Sequence, residues 1–351
     1  MAHRISVIAG DGIGPEVTRE ALGVLRAAAE IHEFEIDVTE HPYGTDHYLA
    51  TGEKLPDEAL ASMAEGDAIL LGAIGDPRVE TGMLERAIIA GIRFGLDLYV
   101  NLRPIKLYAE HLCPLKGVTP DQVDLVVVRE NTEDAYAGLG GILKKGTPDE
   151  VAIQEMIYTR KGVERVVRYA MDLAVKRDGK KRVTLVDKAN AIRAQDIWTR
   201  VFAEVGAEYP QIERDHAYVD ACCMWLIKNP EWFDVAVTTN LFGDIITDLG
   251  AMIQGGMGIA ASGNIHPGRV SMFEPIHGSA PKYAGRNSAN PLAAISAVSM
   301  MLDHLGETEA ASQVEGAIAK LLRTGRIASG KAGEQKTTEI GQLVLDELRA
   351  S

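Results

Sequence analysis

Apolar and polar residues follow two rhythms along this chain. Short apolar runs of strand length recur, and longer segments between them carry apolar residues at helical spacing. "RISVIAG" (4–10) reads as a buried strand. Pro15 then stands at the first position of a helix, and "EVTREALGVLRAAAEIH" follows with apolar residues at helical spacing. "FEIDVTEH" alternates like a strand, and "DAILLGAIGDP" reads as a strand ending in a turn. "GMLERAIIAGIRFGLD" (82–97) reads as helical and "LYVNLRPIKLY" as extended. "VDLVVVRE" (123–130), "KRVTLVDK" (181–188) and "FDVAVTTN" (233–240) each read as a strand before a loop or helix, and "GVERVVRYAMDLAVKR" (162–177) is amphipathic. Strands alternating with helices imply a largely parallel sheet and an α/β architecture.

One stretch breaks the alternation. "LGGILKKGTPDEVAIQEMIYTR" (139–160) joins a Gly-rich turn, a charged stretch and a short alternating run, which predicts a hairpin arm leaving the body to pair with another subunit. After residue 290 the pattern is helical apart from a Gly-bearing loop at 325–333.

The 351 residues suffice for two domains or one large α/β unit. A net charge of −14 argues against a general nucleic-acid-binding surface. An anionic substrate would need a local cluster of cations against that background. Cys113, Cys222 and Cys223 have no metal-ligand spacing and predict reduced thiols. The longest apolar runs are too short to span a bilayer, and the N-terminus does not read as a signal peptide, so no membrane partner and a cytoplasmic location are expected.

"TNLFGDIITDLG" (239–250) poses the sharpest chemical question. It has the composition of a buried helix, yet Asp244 and Asp248 lie one turn apart with no Lys or Arg beside them. Like charges at that spacing repel, so something positive must face them. Together with Asp220 they form an all-oxygen set that suits Mg²⁺ or Mn²⁺. A solvated helix face with Asp220 capping a helix fits the same spacing. Arg93, Arg103 and Arg129 offer planar donor forks for carboxylates, or pair with structural acids. Arg129 follows a run of apolar residues and would otherwise enter the sheet interior. Lys188 suits proton abstraction and Tyr136 proton donation; a surface lysine and a loop tyrosine are the plainer readings.

"GDGIGPE" (10–16) resembles a phosphate loop but lacks the G-x-G-x-x-G spacing, so no Rossmann fingerprint is present. "EPIHGSAPKYAGRNSANP" (274–291) and "GGMGIAASGNIHP" (255–267) read as backbone-rich loops, the first suited to an adenine nucleotide.

In order, "GDGIGPEV", "GAIGDP", "NLRP", "VVVRENTEDAYAG", "VDKAN", "TTNLFGDIITDL" and "EPIHGSAPKYAGRNSANP" resemble the metal-dependent β-decarboxylating dehydrogenases, the isocitrate/isopropylmalate dehydrogenase family. The resemblance runs from about residue 4 to 348 and is strongest to the 3-isopropylmalate branch. It implies two α/β domains around a central, mostly parallel sheet: a discontinuous cofactor domain (1–99 and 252–351) and a substrate, metal and dimerisation domain (100–251) with the arm at 139–160. It implies that Arg93, Arg103 and Arg129 grip the carboxylates of a dicarboxylate substrate, with Ile89 and Ala90 beside its alkyl group. Asp220, Asp244 and Asp248 would hold Mg²⁺ or Mn²⁺, and Tyr136 and Lys188 would be acid and base. Lys188 and Asp220 would come from the second chain of a homodimer. Ile13, Gly72, Ala73, Ile74, Asn240, Glu274, His277, Gly278, Ser279, Ala280, Lys282, Tyr283 and Asn290 would contact the cofactor, NAD, with NADP as the alternative.

Departures from the family pattern bear on specificity. Isocitrate-using members carry a serine six residues before the first arginine, where this chain has Ala87. Ala90 and Ala191 are smaller than the residues usual in the 3-isopropylmalate branch, which leaves D-malate, tartrate and homoisocitrate as alternative substrates. Lys282–Tyr283 matches NADP-using members, whereas Thr338 and Gln342 stand where those members place a phosphate-binding Tyr and Arg. A non-catalytic nucleotide-binding subunit is the reading from another class; the presence of Lys188, Tyr136 and all three aspartates speaks against it.

Overall fold

The computed structural model describes residues 2–350. The strands in chain order are β1 (His3–Gly10), β2 (Ile36–His41), β3 (Ala68–Ala73), β4 (Val100–Lys106), β5 (Asp124–Glu130), β6 (Gly140–Leu143), β7 (Val151–Gln154), β8 (Arg182–Asp187), β9 (Glu213–Tyr218), β10 (Val235–Thr238), β11 (Ala261–Ile265) and β12 (Ser271–Pro275). The chain divides into two compact units. One runs to Leu98 and takes in Arg103–Val123 and everything from Gly250; the other is Tyr99–Leu102 with Asp124–Leu249.

In the first unit the strand order is β2-β1-β3-β12-β11. β1 pairs in parallel with β2 and β3, β3 in parallel with β12, and β11 runs antiparallel to β12. All six residues of β3 are buried, as expected for a strand covered on both faces. The helices Gly14–Ile31, Leu292–Leu305, Thr308–Arg323 and Thr337–Ala350 pack on one another, and the first two also on the strands. Their buried positions, such as Val17, Ala21, Val24 and Ala28, repeat at helical spacing.

The second unit has the all-parallel order β5-β10-β8-β9. Helix Arg160–Arg177 packs on β5, β8 and β10, and Thr159 caps it by accepting from the Gly162 amide at 3.0 Å. β6 and β7 form an antiparallel hairpin whose residues are all exposed, with Ile142, Leu143, Val151 and Ile153 each about half accessible.

Three segments differ from the sequence expectation. The 82–97 stretch is a π-helix over Glu85–Ala90 that passes into a short α-helix, Gly91–Gly95. The 255–267 stretch holds the buried strand β11. "ERDHAY" forms the edge strand β9, which the pattern of apolar positions did not reveal because five of its six residues are exposed. Among the described residues no helix is long and apolar enough to cross a membrane.

Candidate active site

The residues singled out by sequence fall into two sets, one in each unit. In the second unit the helix Asn240–Ile253 follows β10 directly. Asn240, Gly243, Ile246 and Thr247 are buried, a spacing that gives the helix one inward stripe. Asp244 sits beside that stripe, half-buried, with Asp248 exposed on the next turn.

Asp244 has such a cation within the chain: Arg129. Its side chain is only 2% exposed, at the C-terminal end of β5, where it lies against Gly243. Arg129 Nη1 donates to Asp244 Oδ1 at 2.6 Å, while Nε and Nη2 donate to Asn240 Oδ1 at 3.0 and 2.7 Å. Asn240 Nδ2 in turn donates to the Glu133 carbonyl at 3.2 Å. The guanidinium is thereby locked in one rotamer, and a charge-assisted bond of this kind is the strong sort. Tyr136 closes the group: its hydroxyl donates to Asp244 Oδ2 at 3.1 Å, and the Arg129 guanidinium lies 5.4 Å from its ring centre. One carboxylate therefore joins a fixed cation and an exposed phenol.

Lys188 and Asp220 form a second group in the same unit. Lys188 directly follows β8, and its ammonium donates to Asp220 Oδ1 at 2.6 Å. Asp220 lies in the first turn of the helix Val219–Lys228 and is 67% exposed. The ammonium holds the Asp220 carboxyl below the usual range, chiefly by that hydrogen bond. Among the described residues no three His, Cys, Asp or Glu side chains come together as a metal cluster. The three aspartates are thus not gathered into one site within a single chain.

The set in the first unit is built from backbone. Gly12 has φ +60°, and a Cβ there would fall 2.0 Å from the Ser279 carbonyl oxygen, so only glycine fits. Ile13 N donates to that same oxygen at 2.8 Å. Gly72, Ala73 and Ile74 are buried at the end of β3. Ala280 adopts a left-handed conformation, φ +39°, which is costly for a residue with a Cβ. Lys282 Nζ lies 4.7 Å from the centre of the Tyr283 ring. His277 Nδ1 lies 3.0 Å from the Gly278 oxygen; its Nε2 is buried with no hydrogen-bond partner, and burial lowers its pKa. Gly278 is exposed.

Two polar residues in this set have structural partners that sequence did not reveal. The Asn290 side chain donates to the Ser329 carbonyl at 2.9 Å and accepts from the Leu292 amide at 2.9 Å, so it ties the 325–333 loop to a helix start. Glu274 accepts from Asn264 Nδ2 at 2.8 Å and from Arg93 Nη2 at 2.9 Å. Arg93 Nε is buried without a partner, and Arg103 is 8% exposed. Ile89 and Ala90 lie in the π-helix, with Ile89 packed against the core formed by Ile8, Leu84, Ile88 and Ile92. A π turn shifts the register of side chains on a helix, and such turns are common at functional sites.

Residues 4–344 match the family model described as isocitrate/isopropylmalate dehydrogenase. The chain belongs to that family.

Among its relatives, a 3-isopropylmalate dehydrogenase of Thermobifida fusca is 52% identical over 341 residues, covering 96% of this chain and 95% of that one. A protein of the same name from Corynebacterium glutamicum is 47% identical and covers 99% of this chain and 100% of the other. Among solved structures, isocitrate dehydrogenase from Methylococcus capsulatus superposes with a TM-score of 0.88 at 35% identity, covering 99% of each chain. A β-decarboxylating dehydrogenase from Thermococcus kodakarensis gives 0.79 at 32%, covering 99% and 96%. The mostly parallel α/β architecture is that of these neighbours.

Proposed function

We propose that this chain catalyses the oxidative decarboxylation of 3-isopropylmalate to 4-methyl-2-oxopentanoate and CO₂, reducing NAD, as a step of leucine biosynthesis. The observation that carries the reading is the cluster Arg129–Asp244–Tyr136, which sets a locked cation, an anion and a phenol side by side in a family that decarboxylates hydroxy acids.

Each chain residue has a task its chemistry suits. Arg129, with Arg93 and Arg103, would bind the malate carboxylates; the unpartnered Arg93 Nε supplies a donor for one. Asp244 and Asp248, joined by Asp220 of the partner subunit, would hold Mg²⁺ or Mn²⁺. An all-carboxylate donor set fits those ions, and the absence of a three-acid cluster among the described residues of one chain fits a site completed by a second copy. Once bound, the ion supplies Lewis-acid polarisation of the substrate oxygens. Because Lys188 is bonded to Asp220, the partner subunit's Lys188 would arrive with that aspartate and, once it has given up its own proton, would take the hydroxyl proton. Tyr136 would return a proton to the carbon that loses CO₂. NAD, when bound, would supply the acceptor for the C2 hydride.

The unpartnered His277 Nε2 and the open face at Gly278 fit a cofactor lying along 277–283, beside Ile13, whose amide already bonds the Ser279 oxygen. Lys282 replaces the acid with which NAD-specific members repel a 2′-phosphate, so NADP is the alternative.

Ala87 in place of a serine disfavours isocitrate, and the small Ala90 keeps other 3-substituted malates in view. The test is a panel of 3-isopropylmalate, D-malate, tartrate, homoisocitrate and isocitrate, each with Mg²⁺ or Mn²⁺ and with NAD or NADP. The highest kcat/KM is expected for 3-isopropylmalate with NAD. A chain silent with 3-isopropylmalate under both cofactors would remove the proposal.

A further inference from the structure

The sequence segment 10–16 resembles a phosphate loop, but the structure gives its acids a different task. Glu16 lies in the first turn of the helix Gly14–Ile31, where any carboxylate would be favoured by the helix dipole. Here both oxygens are also committed to one distant loop. Oε1 accepts from the Gly285 amide at 2.5 Å and Oε2 from the Asn287 amide at 3.0 Å, across about 270 positions of sequence. The near end of that loop is fixed from the same segment, by Ile13 N donating to the Ser279 oxygen at 2.8 Å. Between the two anchors lie Ala280, in its left-handed conformation, and the single turn Pro281–Tyr283 that presents Lys282 and Tyr283. Asn287, also left-handed at φ +51°, is bonded onward through its side chain to Thr338 at 3.1 Å.

We propose that Glu16 is a positioning residue for the nicotinamide cofactor: its carboxylate holds the 280–287 loop in the binding conformation before the cofactor arrives. This rests on the reading of that loop as a cofactor contact. A loop carrying two left-handed non-glycine residues is strained and relaxes if one anchor is removed. Ordering it again would then be a cost of binding, felt in cofactor affinity and not in the chemical step.

The test is Glu16→Gln. The amide keeps one acceptor, but its NH₂ faces a second backbone N–H, so one anchor is lost with almost no change in shape. The KM for NAD is expected to rise on the order of ten-fold, with kcat and the KM for 3-isopropylmalate held within about two-fold. A residue that serves only the helix would lower the melting temperature and leave the KM for NAD unchanged, which would overturn the proposal. Backbone hydrogen exchange on the wild-type protein needs no variant. Gly285 and Asn287 amides slow to exchange before NAD is added support the role; fast exchange that slows only with NAD overturns it. If the wild type reduces no NAD with 3-isopropylmalate, the functional reading fails, and the exchange measurement still decides the part played by Glu16.

Discussion

Replacing Gly243 with alanine sets two effects of known size against each other. Gly243 lies inside the helix Asn240–Ile253, where alanine is favoured over glycine by about 1 kcal/mol. A Cβ at that position would stand 2.4 Å from Arg129 Cγ, 2.7 Å from its Cβ and 2.8 Å from its Cδ. All three are closer than non-bonded carbons approach, and the Arg129 side chain, 2% exposed, is bonded to Asn240 and Asp244. Overpacking of this kind costs about 1–3 kcal/mol, so it outweighs the gain in helix preference or at least cancels it. If the strain is relieved by movement of Arg129, the guanidinium leaves Asp244. A shift worth about 1.4 kcal/mol in substrate binding is a ten-fold rise in KM. Urea denaturation and steady-state kinetics with 3-isopropylmalate measure the two consequences. A variant about 1 kcal/mol more stable, with unchanged KM, would show that the contact between Gly243 and Arg129 does not constrain the site.

Two further outcomes follow from buried groups. Asp11 accepts from Thr45 N at 2.6 Å, Thr45 Oγ1 at 3.0 Å and Gly75 N at 2.9 Å; in Asp11→Asn the new NH₂ faces the Gly75 amide, and stability to urea should fall by about 1–3 kcal/mol. A loss well below that range would mean that the loops at 45 and 75 do not depend on this carboxylate. Burial pushes the Cys222 thiol up to about 12, so at pH 8 its thiolate is scarcer than that of a free thiol by roughly a thousand-fold. Alkylation mapped by mass spectrometry at that pH should spare Cys222 in the folded protein and reach it as the pH rises toward 12 or the chain unfolds; equal labelling of Cys222 and Cys113 in the folded state would contradict this.

The parts of the fold that sequence reveals are those in which burial and period coincide. β3, β5 and β8 are continuous apolar runs because neighbours cover them, and their positions are readable within a few residues. β9 is an edge strand of charged and exposed residues, a composition that protects an edge from further pairing and also hides it. β11 is fully buried yet made of small and polar residues, "ASGNI", so it carries no apolar signal. The π turn over Glu85–Ala90 has the composition of an α-helix and differs only in its hydrogen-bond register.

In the candidate site, residue types are readable and pairings are not. The aspartates of the 240–253 helix demand a cation, but the one that pairs with Asp244 stands 115 positions away at the end of a strand. Glu16 looks like an ordinary first-turn acid until the loop it holds is placed beside it. Asn290 shows the converse: a residue that suggests a ligand contact by its place among glycines and prolines uses both ends of its side chain within the chain.

The proposal that two chains complete each site is tested most directly by mixing two inactive variants. Lys188→Ala would lack the proposed base, and Asp244→Asn would lack a proposed metal-binding carboxylate, the one bonded to Arg129. If Lys188 and Asp244 act in one site from different chains, subunits exchanged between the two proteins form mixed dimers with one intact site of two. Random pairing then restores about a quarter of wild-type turnover with 3-isopropylmalate, NAD and Mg²⁺. Mixed dimers verified by mass and showing no recovered activity would contradict a site shared between subunits.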